Sequence, residues 1–368
     1  MKQGWEYKKL NEVCDKGSSN IVINKLIDNN GDYPLYGASG LIKNIDFYHQ
    51  DKRYIGIVKD GAGVGRVNIY PAFSSLVGTM QYIFPKEGYS LDFIKYFLIK
   101  LDLSHCVSGA TIPHIYFKDY GKELIPTPSL DTQQTIVSEL DKINELIRLK
   151  KEQLKDFDNL AQSIFYEMFG DPVENEMGWE VKKLGEIGEV KTGNTPSRSN
   201  VNFYNEKFIE WIKTDNIRNE QMNPTTAAEY LSREGAECGR IVSKGSILVA
   251  CIAGSLSSIG KCCITTKNVA FNQQINAITP YEEFCNSIYL YELIRNSSKY
   301  IQQNATTGMK HILSKSIFEK MKFPLPPLTL QHLFAHRIEQ IEHQKSEVQN
   351  AITDLETLLA SRMQYWFE

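Results

Sequence analysis

Ile125-Pro126-Thr127-Pro128-Ser129-Leu130, with Gln133 three residues on, leads into a long polar-apolar run, and the same phrase returns as Phe323-Pro324-Leu325-Pro326-Pro327-Leu328 with Gln331. The shift between the copies is 198 residues (323 − 125). Proline lacks a backbone donor and disfavours helix in the residue before it, so each phrase is a sharp stop after which a helix begins afresh. From Ile136, steps of alternately four and three reach Leu140, Ile143, Ile147, Lys150, Leu154, Phe157, Ala161, Ile164 and Met168. Adding 198 gives Phe334, Ile338, Ile341, Lys345, Val348, Ile352, Leu355, Leu359, Arg362 and Trp366. Such spacing keeps one stripe facing a partner helix, which predicts two long helices packed on each other as a coiled coil. At 1.5 Å rise per residue the seam makes a rod of roughly 48 Å.

Working outward, Trp5-Glu6-Tyr7-Lys8-Lys9-Leu10 returns as Trp179-Glu180-Val181-Lys182-Lys183-Leu184, shifted by 174 (179 − 5). The shift grows by 24 (198 − 174), so the second unit carries insertions while keeping the order of parts. Four parts follow: a module over 1–128, a helix over 129–170, a module over 171–326 and a helix over 327–368. The modules are mixed and strand-rich, giving an α+β chain. In the first, Tyr54-Ile55-Gly56-Ile57-Val58, Val67-Asn68-Ile69-Tyr70 and Thr79 to Phe84 have strand character, followed by a helix from roughly Leu91 to Leu101. The second repeats this at Ile247 to Ile252, Lys261 to Ile264 and Ile275 to Ile278, with a helix near Ser287 to Ile301. Asp131 or Thr132, and Thr329, are expected N-caps, and Gly170-Asp171-Pro172 is expected to close the first helix.

A chain of 368 residues with 42% apolar content fits an ordinary globular protein of two or three domains. No apolar run approaches the ~20 residues of a membrane span and the N-terminus has no signal-peptide core, which predicts a cytoplasmic protein. Seven scattered cysteines without CxxC spacing indicate buried thiols instead of a disulfide framework or zinc site. The net charge of −3 is unevenly spread: 15 basic against 13 acidic residues in 1–128 and 18 against 17 in 171–326, but 5 against 8 and 3 against 6 in the helices. A polyanion would be repelled by the helices and weakly favoured by the modules.

Gly61-Ala62-Gly63-Val64-Gly65-Arg66 lacks the Lys-Ser/Thr ending of a phosphate loop and runs into a strand, so no helix N-terminus faces a phosphate. Ala253-Gly254-Ser255-Leu256-Ser257-Ser258-Ile259-Gly260-Lys261 holds the equivalent place in the second module. Both read equally as plain hairpin turns or as loops whose backbone approaches a polyanion that the terminal cation contacts. His332 and His336 are four apart without the intervening Glu of HExxH, which makes them ordinary surface or interface histidines. His114-Ile115 and His311-Ile312 recur after Ser108-Gly109-Ala110-Thr111 and Thr306-Thr307-Gly308, and duplication sets them apart from lone histidines. Lys150 and Lys345 interrupt the seam, where polar residues fix register, and Arg362 near its end is expected to be exposed. No methylase, P-loop or nucleophile-elbow motif is present, so the chain is expected to be non-catalytic.

Module, Pro-capped helix, module, Pro-capped helix resembles, over the whole length, the DNA-specificity subunit of type I restriction-modification systems. Trp5 to Leu10, Trp179 to Leu184 and the two Pro-rich junctions carry the resemblance. Trp211-Ile212-Lys213-Thr214-Asp215-Asn216-Ile217 also looks like a family element, with a weaker counterpart around Tyr33-Pro34-Leu35-Tyr36-Gly37-Ala38-Ser39-Gly40. The resemblance implies two target-recognition domains, each reading half of a split, asymmetric site on double-stranded DNA, with the long helices packed as an antiparallel coiled coil that fixes the spacing between the halves. It implies no catalysis and no cofactor in this chain. Two methyltransferase subunits, and two endonuclease/translocase subunits in the full complex, would bring S-adenosylmethionine, ATP and magnesium.

On that basis the expected DNA contacts in the second module are Thr192, Asn194, Lys213, Thr214, Asp215, Asn216, Ser255, Ser258, Lys261, Thr306, Lys310 and His311. In the first they are Ser39, Lys43, Lys59, Arg66, Ser108, Thr111 and His114. Amide and cationic side chains suit base edges, while Ser, Thr and Gly suit phosphates. The competing expectation is an interaction scaffold that binds proteins and never DNA.

Overall fold

A computed structural model describes residues 4–109, 111–219, 221–306 and 308–368. By packing, the chain divides into two compact units, Met1–Glu152 with Gln349–Glu368, and Gln153–Val348. Each long helix therefore contributes one half to each unit.

In the first unit, Cys14–Ser18, Met80–Pro85, Tyr54–Val58 and Val67–Tyr70 form an antiparallel sheet in that spatial order. The central strand Tyr54–Val58 is buried along its whole length because it separates two cores. Ile55 and Ile57 face Phe93, Ile94 and Phe97 of the amphipathic helix Leu91–Leu101, whereas Tyr54 and Val58 face Leu35, Ile45 and Leu76. That is the period-two consequence of a strand with apolar material on both faces. Gly56 is required there, since a Cβ would come within 2.5 Å of the Tyr70 ring. The second core is covered by Gly40–Ile45, Tyr33–Gly37 and Ser75–Leu76, the last pair parallel.

The second unit repeats the plan. Gly188–Thr192, Ile275–Pro280, Ile247–Ala250 and Cys262–Ile264 make the antiparallel sheet. Ile209–Ile212 pairs in parallel with Val269–Phe271, as Tyr33–Gly37 does with Ser75–Leu76. The opening segments also match: Tyr7–Lys9 pairs with Leu124–Pro126 and Glu180–Lys183 with Lys322–Leu325. Among the additions in the second module are the short strands Tyr230–Leu231 and Ile241–Val242 around the helix Arg233–Cys238. The helix expected over 287–301 is two helices, Ser287–Asn296 and Ser298–Gln303, joined at the buried Ser297.

The long helices run Leu130–Phe169 and Leu328–Phe367. Within the first unit their segments are antiparallel: Glu139 bonds to Arg362 and Trp366, and Lys151 to Glu356. Within the second unit Asp158 pairs with Lys345, and Phe165 packs on Phe334. The seam positions Ile136, Leu140, Ile143 and Ile147, and Phe334, Ile338, Ile341 and Val348, are buried as the spacing predicts. Three expectations are corrected. Ser129, instead of Asp131 or Thr132, stands before the first helical residue and accepts from the Thr132 N–H at 3.4 Å, because the helix begins at Leu130. Thr329 lies inside the second helix, which starts at Leu328. Arg362 is half-buried, held by Glu139 and stacked on Tyr365 and Trp366, so it is not a free surface cation.

The glutamines of the two junctions do the same task. The buried Gln133 accepts from the Ser90 N–H (2.8 Å) and donates to the carbonyls of Gly88 (3.2 Å) and Pro128 (3.0 Å). Gln331 accepts from the Asn286 N–H (2.9 Å) and donates to Phe284 (3.1 Å) and Pro326 (2.8 Å). Each amide thus ties the Pro-rich hinge to the N-cap residue of the short module helix, fixing the angle at which the long helix leaves. Gln331→Ala orphans buried backbone groups and is expected to cost about 2–3 kcal/mol, readable as a lowered denaturant midpoint at unchanged slope. A cost under about 0.5 kcal/mol would refute the latch.

Candidate nucleic-acid interface

In the first module three loops meet. The turn from Lys59 to Arg66 joins the antiparallel strands Tyr54–Val58 and Val67–Tyr70, and its Gly61, Gly63 and Gly65 all hold φ near +85. L side chains rarely adopt that conformation, which explains the glycine alternation without any nucleotide. The Gly61 N–H donates to the Pro113 carbonyl (2.9 Å), and the Arg66 guanidinium donates to the Ala38 carbonyl (2.7 Å). The third loop is a tight hairpin in which Ser108 and His114 exchange backbone hydrogen bonds of 2.9 and 2.8 Å. Ser39, Lys59, Arg66, Ser108, Thr111 and His114 therefore share one loop cluster; Ala110 lies outside the described residues. Ser39 and Arg66 also line a groove of about 310 Å³ with Tyr36, Asn68 and Tyr70. Lys59 is paired with Asp60 at 2.7 Å. Lys43 stands apart, its ammonium donating to the carbonyls of Leu26 (2.8 Å) and Ile27 (3.2 Å).

In the second module the strand Ile252–Ala253 pairs with His311–Ile312, and Thr306 bridges Ile312. This gathers Ser255, Ser258, Lys261, Thr306, Lys310 and His311 around one loop cluster; Thr307 lies outside the described residues. Lys261 enters a polar cleft of about 230 Å³ with Asn219, Ser257, Arg295 and Gln302.

The remaining expected contacts form a second group, much of it committed to structure. Thr192 donates to Asn276 (2.7 Å), and Asn194 donates to the Cys238 carbonyl (2.8 Å) and accepts from the Arg240 N–H (2.7 Å). Asn216 is buried, accepts from the Lys213 N–H (3.0 Å) and donates to Thr225 Oγ1 (3.0 Å) and the Thr226 carbonyl (3.2 Å), so its amide closes a turn. Thr214 is half-buried and Asp215 exposed on that turn.

Lys213 belongs to a cluster that the sequence does not disclose. Its ammonium lies 5.0 Å from the Trp211 ring and pairs with Glu229, which also pairs with Arg198. The Arg198 guanidinium stacks 4.5 Å from Tyr204 and 4.9 Å from Trp211. Lys213 foremost, then Arg198, hold the Glu229 carboxyl below the usual carboxylate range against the opposing effect of partial burial. An arginine in a Ser/Thr/Pro-rich stretch signals nothing until Tyr204, Trp211 and Glu229 are folded onto it.

The two histidines are not structural equivalents. Ser108 and Thr306, and Ile115 and Leu313, are each 198 apart and hold matching backbone bonds, to His114 and Ile312 and to Lys59 and Cys251 respectively. His114 thus corresponds to Ile312, and His311 is one residue out of register, which puts it on the other face of its strand. The one-residue slip is invisible in the motif because His-Ile occurs at both places.

Among the described residues, no helix is long and apolar enough to cross a membrane. The family model for the type I restriction modification DNA specificity domain matches residues 2–156 and again 176–356. A specificity subunit of the type I restriction enzyme HindI of Haemophilus influenzae is 31% identical over 193 residues, 50% of this chain and 41% of that protein. A type I specificity subunit of Escherichia coli is 25% identical over 258 residues, 65% of this chain and 59% of that protein. The chain thus aligns with about half the length of these two relatives. A solved type I restriction-modification S subunit from M. genitalium has the same fold, with a TM-score of 0.60 at 14% identity over 99% of this chain and 96% of that one.

Proposed function

The chain belongs to the type I restriction modification DNA specificity family, and from that premise we propose that it reads a bipartite, asymmetric site on double-stranded DNA, one half per unit. The observation that carries the proposal is the repeated topology with divergent loops. Each module builds a loop cluster at the same place in the same sheet plan, from Ser39, Arg66, Ser108 and Thr111 in one and Ser255, Lys261, Thr306 and Lys310 in the other. Different side chains at equivalent places select different base sequences, so the halves differ. The two 40-residue helices set the interval between the halves.

In this proposal the chain performs no chemistry. Two adenine-methyltransferase subunits bring S-adenosylmethionine, and two ATP- and magnesium-dependent endonuclease subunits complete the full complex. The protein acts in the cytoplasm, where its DNA lies. Methylome sequencing of a host expressing the chain with its methyltransferase tests this: one motif of two unlike blocks separated by a fixed unread interval is expected. In a second strain carrying Lys310→Ala, a base-reading role relaxes one position of one block at a cost of about 1–3 kcal/mol, whereas a phosphate contact lowers modification at every site. A continuous motif, or DNA binding indifferent to sequence, would defeat the bipartite proposal. Weak charge on the modules, +2 (15 − 13) and +1 (18 − 17), favours a protein-binding scaffold instead, and absence of any methylated motif would leave that reading standing.

A further inference from the structure

At the base of the first module's hairpin loop, His105, Cys106 and Glu123 bring an imidazole nitrogen, a thiol sulfur and a carboxylate oxygen within 4.8 Å of one another. His105 Nδ1 lies 2.7 Å from the Asp102 carbonyl, which can only accept, so Nδ1 carries the hydrogen and Nε2 presents a lone pair. That lone pair faces Glu123 Oε1 at 3.3 Å. Two acceptors face each other, and they attract only if a cation stands between them: a second ring proton or a metal ion. Cys106, next in sequence and half-buried, favours the metal, because it adds a third donor that a ring proton does not need and a borderline metal prefers.

We infer that His105, Cys106 and Glu123 form a binding site for a zinc-type divalent cation, which clips the two ends of residues 107–122 together. The donor set is that of an open tetrahedral site: one neutral nitrogen, one thiolate and one carboxylate, with water in the fourth position. Two anionic ligands balance the charge of the ion, the thiol proton passing to solvent on binding. The carbonyl of Asp102 supplies the outer hydrogen bond that orients a metal-bound histidine. Segment 107–122 contains Ser108, Thr111 and His114, so the clip anchors the hairpin of the candidate interface without touching it. The second module is an internal control, since residues 198 further on are Gln303, Asn304 and Met321, which cannot reproduce the set. The site stands independently of the DNA-reading proposal.

The full chain is titrated with Zn²⁺ alone against a chromophoric chelator, and with Co²⁺, whose thiolate charge-transfer absorption reports sulfur ligation. One ion per chain is expected, with the thiolate band present. Cys106→Ser and Glu123→Gln, chosen as near-isosteric, should each weaken binding more than about tenfold, while Cys238→Ser, an exposed thiol elsewhere, should not. Thermal melting without metal reports whether each variant folds. Zn²⁺ should also slow proteolysis within 107–122 in the parent and not in Cys106→Ser. Absence of stoichiometric binding, a cobalt spectrum without the thiolate band, or parent-like affinity in both variants would overturn the inference and leave a protonated His105–Glu123 ion pair.

Discussion

Phe165→Ala is expected to destabilise the unit Gln153–Val348 by about 3–5 kcal/mol, among the largest effects of any single truncation in the chain. Phe165 is fully buried, 5.2 Å from Phe169, 5.7 Å from Phe334 and 6.1 Å from Tyr289, ring centre to ring centre. It joins the long helix Leu130–Phe169 to the returning helix and to the module helix Ser287–Asn296 at one point. Deleting the ring removes contacts to three aromatic neighbours that cannot all collapse into the void, so a cavity cost adds to the lost transfer energy. Leu160→Ala on the exposed face of the same helix is the control and should stay within about 0.5 kcal/mol. Native-state hydrogen exchange, read separately over each unit, is the measurement. A loss below about 1 kcal/mol would mean that the helix end is not docked.

Phe165 also shows where sequence reading stops. The four-three count passes from Ala161 through Ile164 to Met168 and skips Phe165 and Phe169, yet these two are more deeply buried than Ile164 and Met168. The same happens 198 residues on, where Met363 and Phe367 are buried beside the counted Arg362 and Trp366. A two-stranded seam needs a stripe of a and d positions only. Where a helix must meet a module as well as its partner, the apolar stripe widens by one position, as in a helix buried in a globular domain. The facing stripe of each helix was therefore legible, and the docking of its ends was not. Both copies widen at the C-terminal end of the helix, in the half assigned to the unit that its N-terminal half does not join.

Local sequence was a good guide where one property decides. Strand Tyr54–Val58 follows from its short apolar run and helix Leu91–Leu101 from its amphipathic pattern, and Pro126 and Pro324 lie in the last strand before each long helix. It failed where a partner distant in the chain decides. Asn216 has the composition of a base reader, but Thr225 and Thr226 engage its amide. Glu292 is a charged residue in an ordinary helical pattern, yet it lies on the buried face of Ser287–Asn296 with its side chain only 2% exposed and paired with Arg295.

That carboxylate sets the second large effect. Arg295 pairs with Glu292 at 3.3 Å and with Asp158 at 3.1 Å, and Asp158 also receives Lys345 at 3.1 Å, so two cations serve the buried side of the helix pair in this unit. Arg295→Ala leaves Glu292 buried near Glu342 with Lys345 as the remaining cation of the network, and a loss of about 3–5 kcal/mol is expected. The loss depends on pH with a definite sign. Burial already raises the Glu292 carboxyl above the usual carboxylate range, with Arg295 opposing it, so removing Arg295 raises it further. A group whose folded-state value exceeds its unfolded value of about 4.3 binds its proton more tightly in the folded chain. Its unfavourable contribution is absent below the unfolded value and grows as pH rises through the folded one. Urea denaturation should therefore show the Arg295→Ala deficit largest at alkaline pH and shrinking as pH falls toward the unfolded carboxylate value of about 4.3. Adding Glu292→Gln to the variant should recover part of the loss and flatten the difference. An equal deficit at alkaline and acidic pH would place the cost in lost packing of the arginine stem and not in an uncompensated charge.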